Sequence, residues 1–143
     1  MDEKYGEVWG QGEPDGVLYR INSKSSMVDL IACAAHTTNK AYCDALGDFS
    51  QPTWEAAPEW QRDSIRNGVK AVIANPSQTP SQSHDSWFAQ KKSEGWIWGP
   101  AKNVEKKEHP CMMPYDELPT DQRHKDHNFL VVVRSMLRAL GVL

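Results

Sequence analysis

The chain has 143 residues and a net charge of -3; 39% of its residues are hydrophobic and 24% are charged. This composition is typical of one globular domain, with or without an added arm. The acidic balance argues against binding of a nucleic-acid polymer, because proteins that coat the phosphate backbone are usually strongly basic. No apolar run approaches the roughly 20 residues that span a bilayer, and the N-terminus lacks a signal pattern, so we expect a cytoplasmic protein with no membrane partner.

The first 24 residues are rich in glycine and charge, and they differ from the rest of the chain. We interpret residues 1–24 as an N-terminal arm, with a weak strand pattern near Val17–Ile21. Residues 25–143 are predicted to form a single helical domain. The three cysteines, an odd and sparse set, are expected to be reduced thiols: Cys33, Cys43 and Cys111.

Four segments of the domain have the apolar spacing of amphipathic helices. Serines, prolines and glycines mark their ends, as expected for residues that cap or break helices. The predicted helices run from Ser25 or Ser26 to Leu46, from Pro58 to Asn75, over about 80–94, and from Thr120 onward. The fold class is therefore mainly α, a compact helical domain.

Two short segments between the third and fourth helices differ from this helical pattern. Residues 96–98 resemble a strand, and His109-Pro110 begins a return segment. We expect the two to form a small two-stranded hairpin, which needs packing on helices to be stable. Trp96 and Trp98 alternate along the strand and so point to opposite faces. We predict that Trp96 belongs to the core and that Trp98 is more exposed.

Tryptophans and lysines alternate along residues 84–107, a composition that suits an anionic ligand with an aromatic base. An indole ring can stack on the base, and an ammonium group can meet a phosphate. Trp87 and Lys91 are one helical turn apart and therefore share a face. Asp126 falls on the apolar face of the last helix, where its carboxylate could accept hydrogen bonds from a ligand. The structural alternative is a core tryptophan beside a Lys91–Asp126 ion pair.

The sequence contains little that indicates catalysis or metal binding. Cys33 and His36 share a helix face, as do His124 and His127, but no four residues have the paired spacing of a zinc module. No phosphate-binding loop, dinucleotide fingerprint or nucleophile elbow is present. We therefore expect no metal, no cofactor and no enzymatic activity.

Three linked motifs over about residues 58–142 resemble the RyR domain, the repeat of the ryanodine receptor. They are Trp87 with Lys91, the run Gly95-Trp96-Ile97-Trp98-Gly99, and the segment Lys107-x-His109-Pro110 followed by Pro114-Tyr115-Asp116-x-Leu118-Pro119. The segment before them is similar to stand-alone prokaryotic or phage members of the family. The family pattern usually has tyrosine where Trp98 stands.

The resemblance implies a compact, mainly non-catalytic helical module that binds adenine nucleotide. It places the base at Trp87, a cation at Lys91 and the border of the site at Asp126. The full set of candidate ligand-binding residues is Trp87, Lys91, Trp98, Lys107, His109, Tyr115 and Asp126. His109 and Tyr115 could equally pin the hairpin to the segment that follows it.

Three functions remain open from the sequence. The first is non-catalytic binding of a nucleotide or nucleotide-derived signal, adenine-containing by preference, as a phage sponge or a sensor in antiviral signalling in the host cytoplasm. This binder could be a homo-oligomer. The second is a protein-interaction or structural module with no small-molecule ligand, in which an exposed tryptophan would be an interface hot spot. The third is a hydrolase of nucleotide derivatives.

Overall fold

The computed structural model describes residues 24–143, and its architecture is mainly α, as the sequence predicts. The elements in chain order are α1 (Lys24–Ala45), α2 (Glu59–Ala74), α3 (Pro80–Ser93), β1 (Ile97–Trp98), β2 (Glu108–His109), a 3-10 turn (Tyr115–Glu117) and α4 (Thr120–Ala139). The predicted N-terminal arm lies outside the described residues, except for Lys24, which begins α1. None of the helices in this part of the chain is long and apolar enough to cross a bilayer.

The hydrophobic core is built by three of the helices, α1, α2 and α4. Apolar residues at three-to-four spacing give each helix one apolar face, and these faces meet. The buried residues of this core are Val28, Ile31, Ala32 and Ala35 from α1, Val69 and Val72 from α2, and Leu130, Val133 and Leu137 from α4. Gly68 lets α2 approach α4 closely, because a Cβ atom there would lie 3.0 Å from the Phe129 ring.

Helix α3 differs from the other three because its buried residues are all polar: Ser83, His84 and Lys91. Its start is fixed by a reciprocal pair of hydrogen bonds, in which Gln82 N–H donates to Thr79 Oγ1 at 3.2 Å and Thr79 N–H donates to Gln82 Oε1 at 2.9 Å. This capping box satisfies two backbone donors that would otherwise lack partners. Gly95 follows the helix with a φ of 93°, which glycine adopts without strain. Helix α3 therefore has a capping box at its start and a glycine after its end, and its buried side chains are polar.

The expected two-stranded element is present, but its strands run parallel instead of antiparallel. Ile97 pairs with Glu108, and Trp98 pairs with His109. The chain reverses between Asn103 and Glu108, which form an antiparallel bridge, and β2 then lies alongside β1 in the same direction. Trp96, just before β1, is 6% exposed, and Trp98 is 53% exposed. This confirms that Trp96 belongs to the core and that Trp98 is the more exposed of the two.

We predict that the stability of the fold depends on the buried face of α4 and not on its outer face. Leu130 is 1% exposed, whereas its neighbour Val131 is 49% exposed. Leu130→Ala should lower the free energy of unfolding by about 2–5 kcal/mol, because it leaves a cavity in the core. The matched control Val131→Ala should change it by about 0.5 kcal/mol or less. Urea unfolding of both variants checks this, and equal losses would contradict the assigned core.

Candidate functional site

A cavity of about 270 Å³ lies between the helices, and residues from all four of them line it. The segment between α3 and α4 closes one side, with Trp96, Lys102 and His109 in the wall. The volume is just below the usual range for small-molecule sites, about 300–1,000 Å³. It suits one small molecule better than a larger ligand.

The cavity brings together four of the seven candidate residues: Trp87, Lys91, His109 and Asp126. The other three, Trp98, Lys107 and Tyr115, are outside its lining. The ammonium of Lys107 donates to the carbonyl of Glu94 at 2.7 Å, and so ties the return segment to the end of α3. The Tyr115 ring packs on the His84 ring with centroids 6.0 Å apart.

Lys91 is buried in the wall of the cavity, with only 5% of its surface exposed. Its Nζ lies 5.1 Å from the Trp60 ring centroid and 5.7 Å from the Trp96 ring centroid, and the two rings are 5.9 Å apart. Glu94 Oε1 accepts from the same ammonium at 3.4 Å. The ion-pair partner of Lys91 is thus Glu94 and not Asp126, so the structural alternative for this pair is not formed. Two indole faces and one carboxylate offset the cost of burying this charge.

Two further lysines bring positive charge to the same cavity, Lys102 from the loop after β1 and Lys125 from α4. The Lys102 Nζ lies 5.8 Å from the Trp60 ring centroid. Burial lowers the pKa of Lys102, and the positive charges of Lys91 and Lys125 lower it further. Within residues 24–143, no ion pair includes Lys102 or Lys125. The cavity therefore holds more positive than negative charge at this end.

His109 lies between two indoles, in edge-on contact with Trp87 at 5.0 Å and with Trp96 at 6.3 Å between ring centroids. The backbone N–H of Cys111 donates to His109 Nδ1 at 3.0 Å. Burial lowers the pKa of His109 to about 3, and the nearby lysines contribute in the same direction. The ring is therefore neutral near pH 7 and carries its proton on Nε2, where it can donate a hydrogen bond.

Asp126 and His84 form the opposite side of the cavity. His84 Nε2 donates to the carbonyl of Met113 at 2.7 Å, which leaves Nδ1 facing Asp126 Oδ2 at 3.7 Å. Burial raises the pKa of Asp126 to about 7; Lys125 opposes the shift and Asp85 adds to it. The carboxyl group can consequently exist in either protonation state near neutral pH, and it can donate or accept a hydrogen bond.

The family model of the RyR domain matches residues 69–143, slightly more than half of the chain. The protein therefore belongs to the RyR-domain family, as the motifs indicate. The matched segment begins inside α2 at Val69 and contains all seven candidate residues. Trp60 and the whole of α1 precede it, so one wall of the cavity is contributed from outside the match.

Four residues that shape the cavity were not among the candidates from the sequence: Trp60, His84, Lys102 and Lys125. A signal for the first was available, because α2 has a second face on which Trp60 is followed at helical spacing by small residues. These are Ser64, Gly68 and Ala71, and all of them line the cavity. Small side chains on a helix face leave room beside a large one. Lys102 belongs to the run of tryptophans and lysines that suits an anionic ligand, but nothing distinguished it there from the solvated lysines, and Lys125 carried no signal, because charged residues are most often solvated.

We predict that ionisation of Asp126 opposes folding. Its pKa is about 7 in the folded chain, compared with the ordinary value of 3.8. The folded state therefore favours the neutral carboxyl. The stability that this preference adds to the fold is present at low pH and is lost as the pH rises through about 7. Asp126→Asn removes the ionisation, so the stability of this variant relative to wild type should rise between about pH 5 and about pH 8, on the order of 2 kcal/mol.

Urea unfolding of the wild type and the variant across this pH range provides the measurement. Asp116→Asn is the control, because Asp116 is exposed. Its stability difference from the wild type should stay flat with pH. A flat difference for Asp126→Asn as well would mean that the carboxyl is not held in a desolvated site.

Proposed function

We propose that this RyR-domain protein binds a nucleotide or nucleotide-derived signal, adenine-containing by preference, in the cavity between its helices and releases it unchanged. The observation that carries the proposal is the meeting of indole rings and ammonium groups in one partly open cavity. Trp60, Trp87 and Trp96 supply flat apolar faces, and Lys91 and Lys102 lie beside two of them. A nucleotide offers the matching groups, a base that stacks and phosphates that carry the opposite charge.

The distribution of charge also supports a small anionic ligand over a polymer. The chain as a whole has a net charge of -3, yet three lysines line the cavity. A polymer of nucleotides would meet the acidic surface, whereas a single nucleotide would meet the positive cavity. His109 Nε2–H and the Asp126 carboxyl add hydrogen-bonding groups that could read the edge of a base.

The state of the cavity thiol supports binding without turnover. Burial raises the pKa of Cys111 to about 11, so the group is a protonated thiol at neutral pH and a poor nucleophile. Its Sγ instead contacts Gln122 Oε1 at 3.2 Å. A protein that holds a nucleotide signal without consuming it would act as a sensor or as a sponge in antiviral signalling, in the host cytoplasm if a phage encodes it.

The exposed apolar residues of β1 favour a second candidate function, a protein-interaction module. Ile97 is 58% exposed and Trp98 is 53% exposed, and they are adjacent. An exposed tryptophan beside an apolar residue is a common interface hot spot. This surface could also join copies of the chain into a homo-oligomer. In either case, no nucleotide would be required.

We predict that adenine nucleotides raise the melting temperature of the purified protein and are recovered intact. Binding to the native state stabilises it, by about 2.7 kcal/mol when the ligand is at a hundredfold excess over its Kd. Trp87→Ala should weaken binding by about 1–3 kcal/mol, because a stacking surface is lost. Thermal shift with AMP, ADP and ATP, followed by chromatography of the recovered ligand, measures both effects.

Phe49→Ala is the matched aromatic control, because Phe49 is 76% exposed and is outside the cavity lining. It should bind as the wild type does. No shift with any adenine nucleotide would contradict the binder and favour the interaction module. Conversion of the nucleotide, lost in Asp126→Ala, would favour the hydrolase.

A further inference from the structure

Resting on the proposed function, we propose that the ligand carries two linked phosphates, as in a nucleoside 5′-diphosphate, and that Lys102 and Lys125 hold them. The sequence motifs point to Lys91 as the phosphate-binding cation. The contacts of the three lysines give them different roles.

Lys91 already has its partners in the ligand-free chain. Its ammonium is buried between Trp60 and Trp96 and meets the carboxylate of Glu94 at 3.4 Å. A phosphate would have to displace one of these contacts or approach from the one remaining side. Lys91 therefore positions the two indoles and adds to the positive field of the cavity, but it offers few free donors.

Lys102 and Lys125 have weaker partners than Lys91: Lys102 lies 5.8 Å from the Trp60 ring centroid, and Lys125 hydrogen-bonds the Cys43 thiol, but neither meets a carboxylate of residues 24–143 directly. Both line the cavity, and within the described part of the chain neither takes part in an ion pair. They arrive from different elements, Lys102 from the loop after β1 and Lys125 from the second turn of α4. Each ammonium has three donors, so two of them can serve acceptors on more than one phosphate.

The charge of the site favours a diphosphate over a monophosphate. Three ammonium groups line the cavity. Glu94 meets one of them directly, and Asp126, with its pKa raised to about 7, is the acidic side chain in the lining, so the positive groups outnumber the negative ones. The remaining positive charges repel one another, and the lowered pKa of Lys102 reflects this repulsion in addition to its burial. A monophosphate brings about -1.5 to -2 charges at neutral pH, and a second linked phosphate adds further charge and further acceptor oxygens. The more anionic ligand relieves more of the repulsion.

The charge of Lys102 should have opposite effects on the stability of the free protein and on that of the complex. In the free chain, the charge of Lys102 is unfavourable, because it is partly buried near two other ammonium groups. In the complex, that charge meets a phosphate. Removing the charge of Lys102 should leave the melting temperature of the free protein unchanged or raised. The same change should weaken the binding of a diphosphate. A residue with a purely structural role would not separate the two effects in this way.

Calorimetric titration with AMP and with ADP tests the proposal in the wild type, Lys102→Gln, Lys125→Gln and Lys102→Arg. The wild type should bind ADP about tenfold more tightly than AMP, the gain expected from one more charge-assisted contact. Each glutamine variant should lose most of that preference, and Lys102→Arg should keep it because the charge remains. Lys92→Gln is the control, because Lys92 is exposed on α3 next to Lys91 and should behave as the wild type.

The outcomes separate this proposal from the one on which it rests. Equal binding of AMP and ADP by the wild type would overturn the diphosphate assignment and leave nucleotide binding intact. An undiminished ADP preference in both glutamine variants would overturn the role of the two lysines. Binding of neither nucleotide would instead contradict the proposed function itself. A free Lys102→Gln protein that melts well below the wild type would contradict the unfavourable charge assigned to Lys102; the Lys102→Arg and Lys125→Gln titrations would then decide whether the two lysines hold the phosphates.

Discussion

The arrangement of the site depends on one costly interaction, the burial of the Lys91 ammonium beneath two indole rings. An isolated charge moved out of water loses much of its hydration energy, and a fold retains it only with compensating partners. Trp60 and Trp96 supply ring faces at 5.1 and 5.7 Å, and Glu94 supplies a carboxylate at 3.4 Å. These partners come from α2, from the end of α3 and from the segment after it. The position of one cation therefore ties three parts of the chain together around the cavity.

The apolar core and the polar cavity wall draw on different helices of the domain. The core made by α1, α2 and α4 is apolar, whereas the buried residues of α3 are polar. A helix that buries polar groups contributes little hydrophobic stabilisation, so the other three must supply it. On the cavity side, the clustered lysines repel one another, and an anionic ligand would relieve that repulsion. Such local conflicts with the rules of stable folding are expected where a protein binds something.

Local signals in the sequence were enough to predict the helices, their ends, the inward Trp96 and the outward Trp98. The family also followed from local motifs. The cavity was only partly predictable: Trp87 and Lys91 share a helix face, but their convergence with Trp60 and Lys125 depends on how distant segments pack. No local pattern shows that a lysine in a loop will turn inward. The parallel direction of the two strands was missed for a related reason: it depends on the path of the whole segment between them, which includes the antiparallel bridge of Asn103 with Glu108.

A structure of the protein crystallised with ADP tests the central claim most directly. The account predicts the base against Trp87 in the cavity, with phosphate oxygens about 2.7–2.9 Å from the ammonium groups of Lys102 and Lys125. It also predicts that Lys91 stays between Trp60 and Trp96. An empty cavity at saturating ADP, or a nucleotide bound only on the outer surface, would contradict the account.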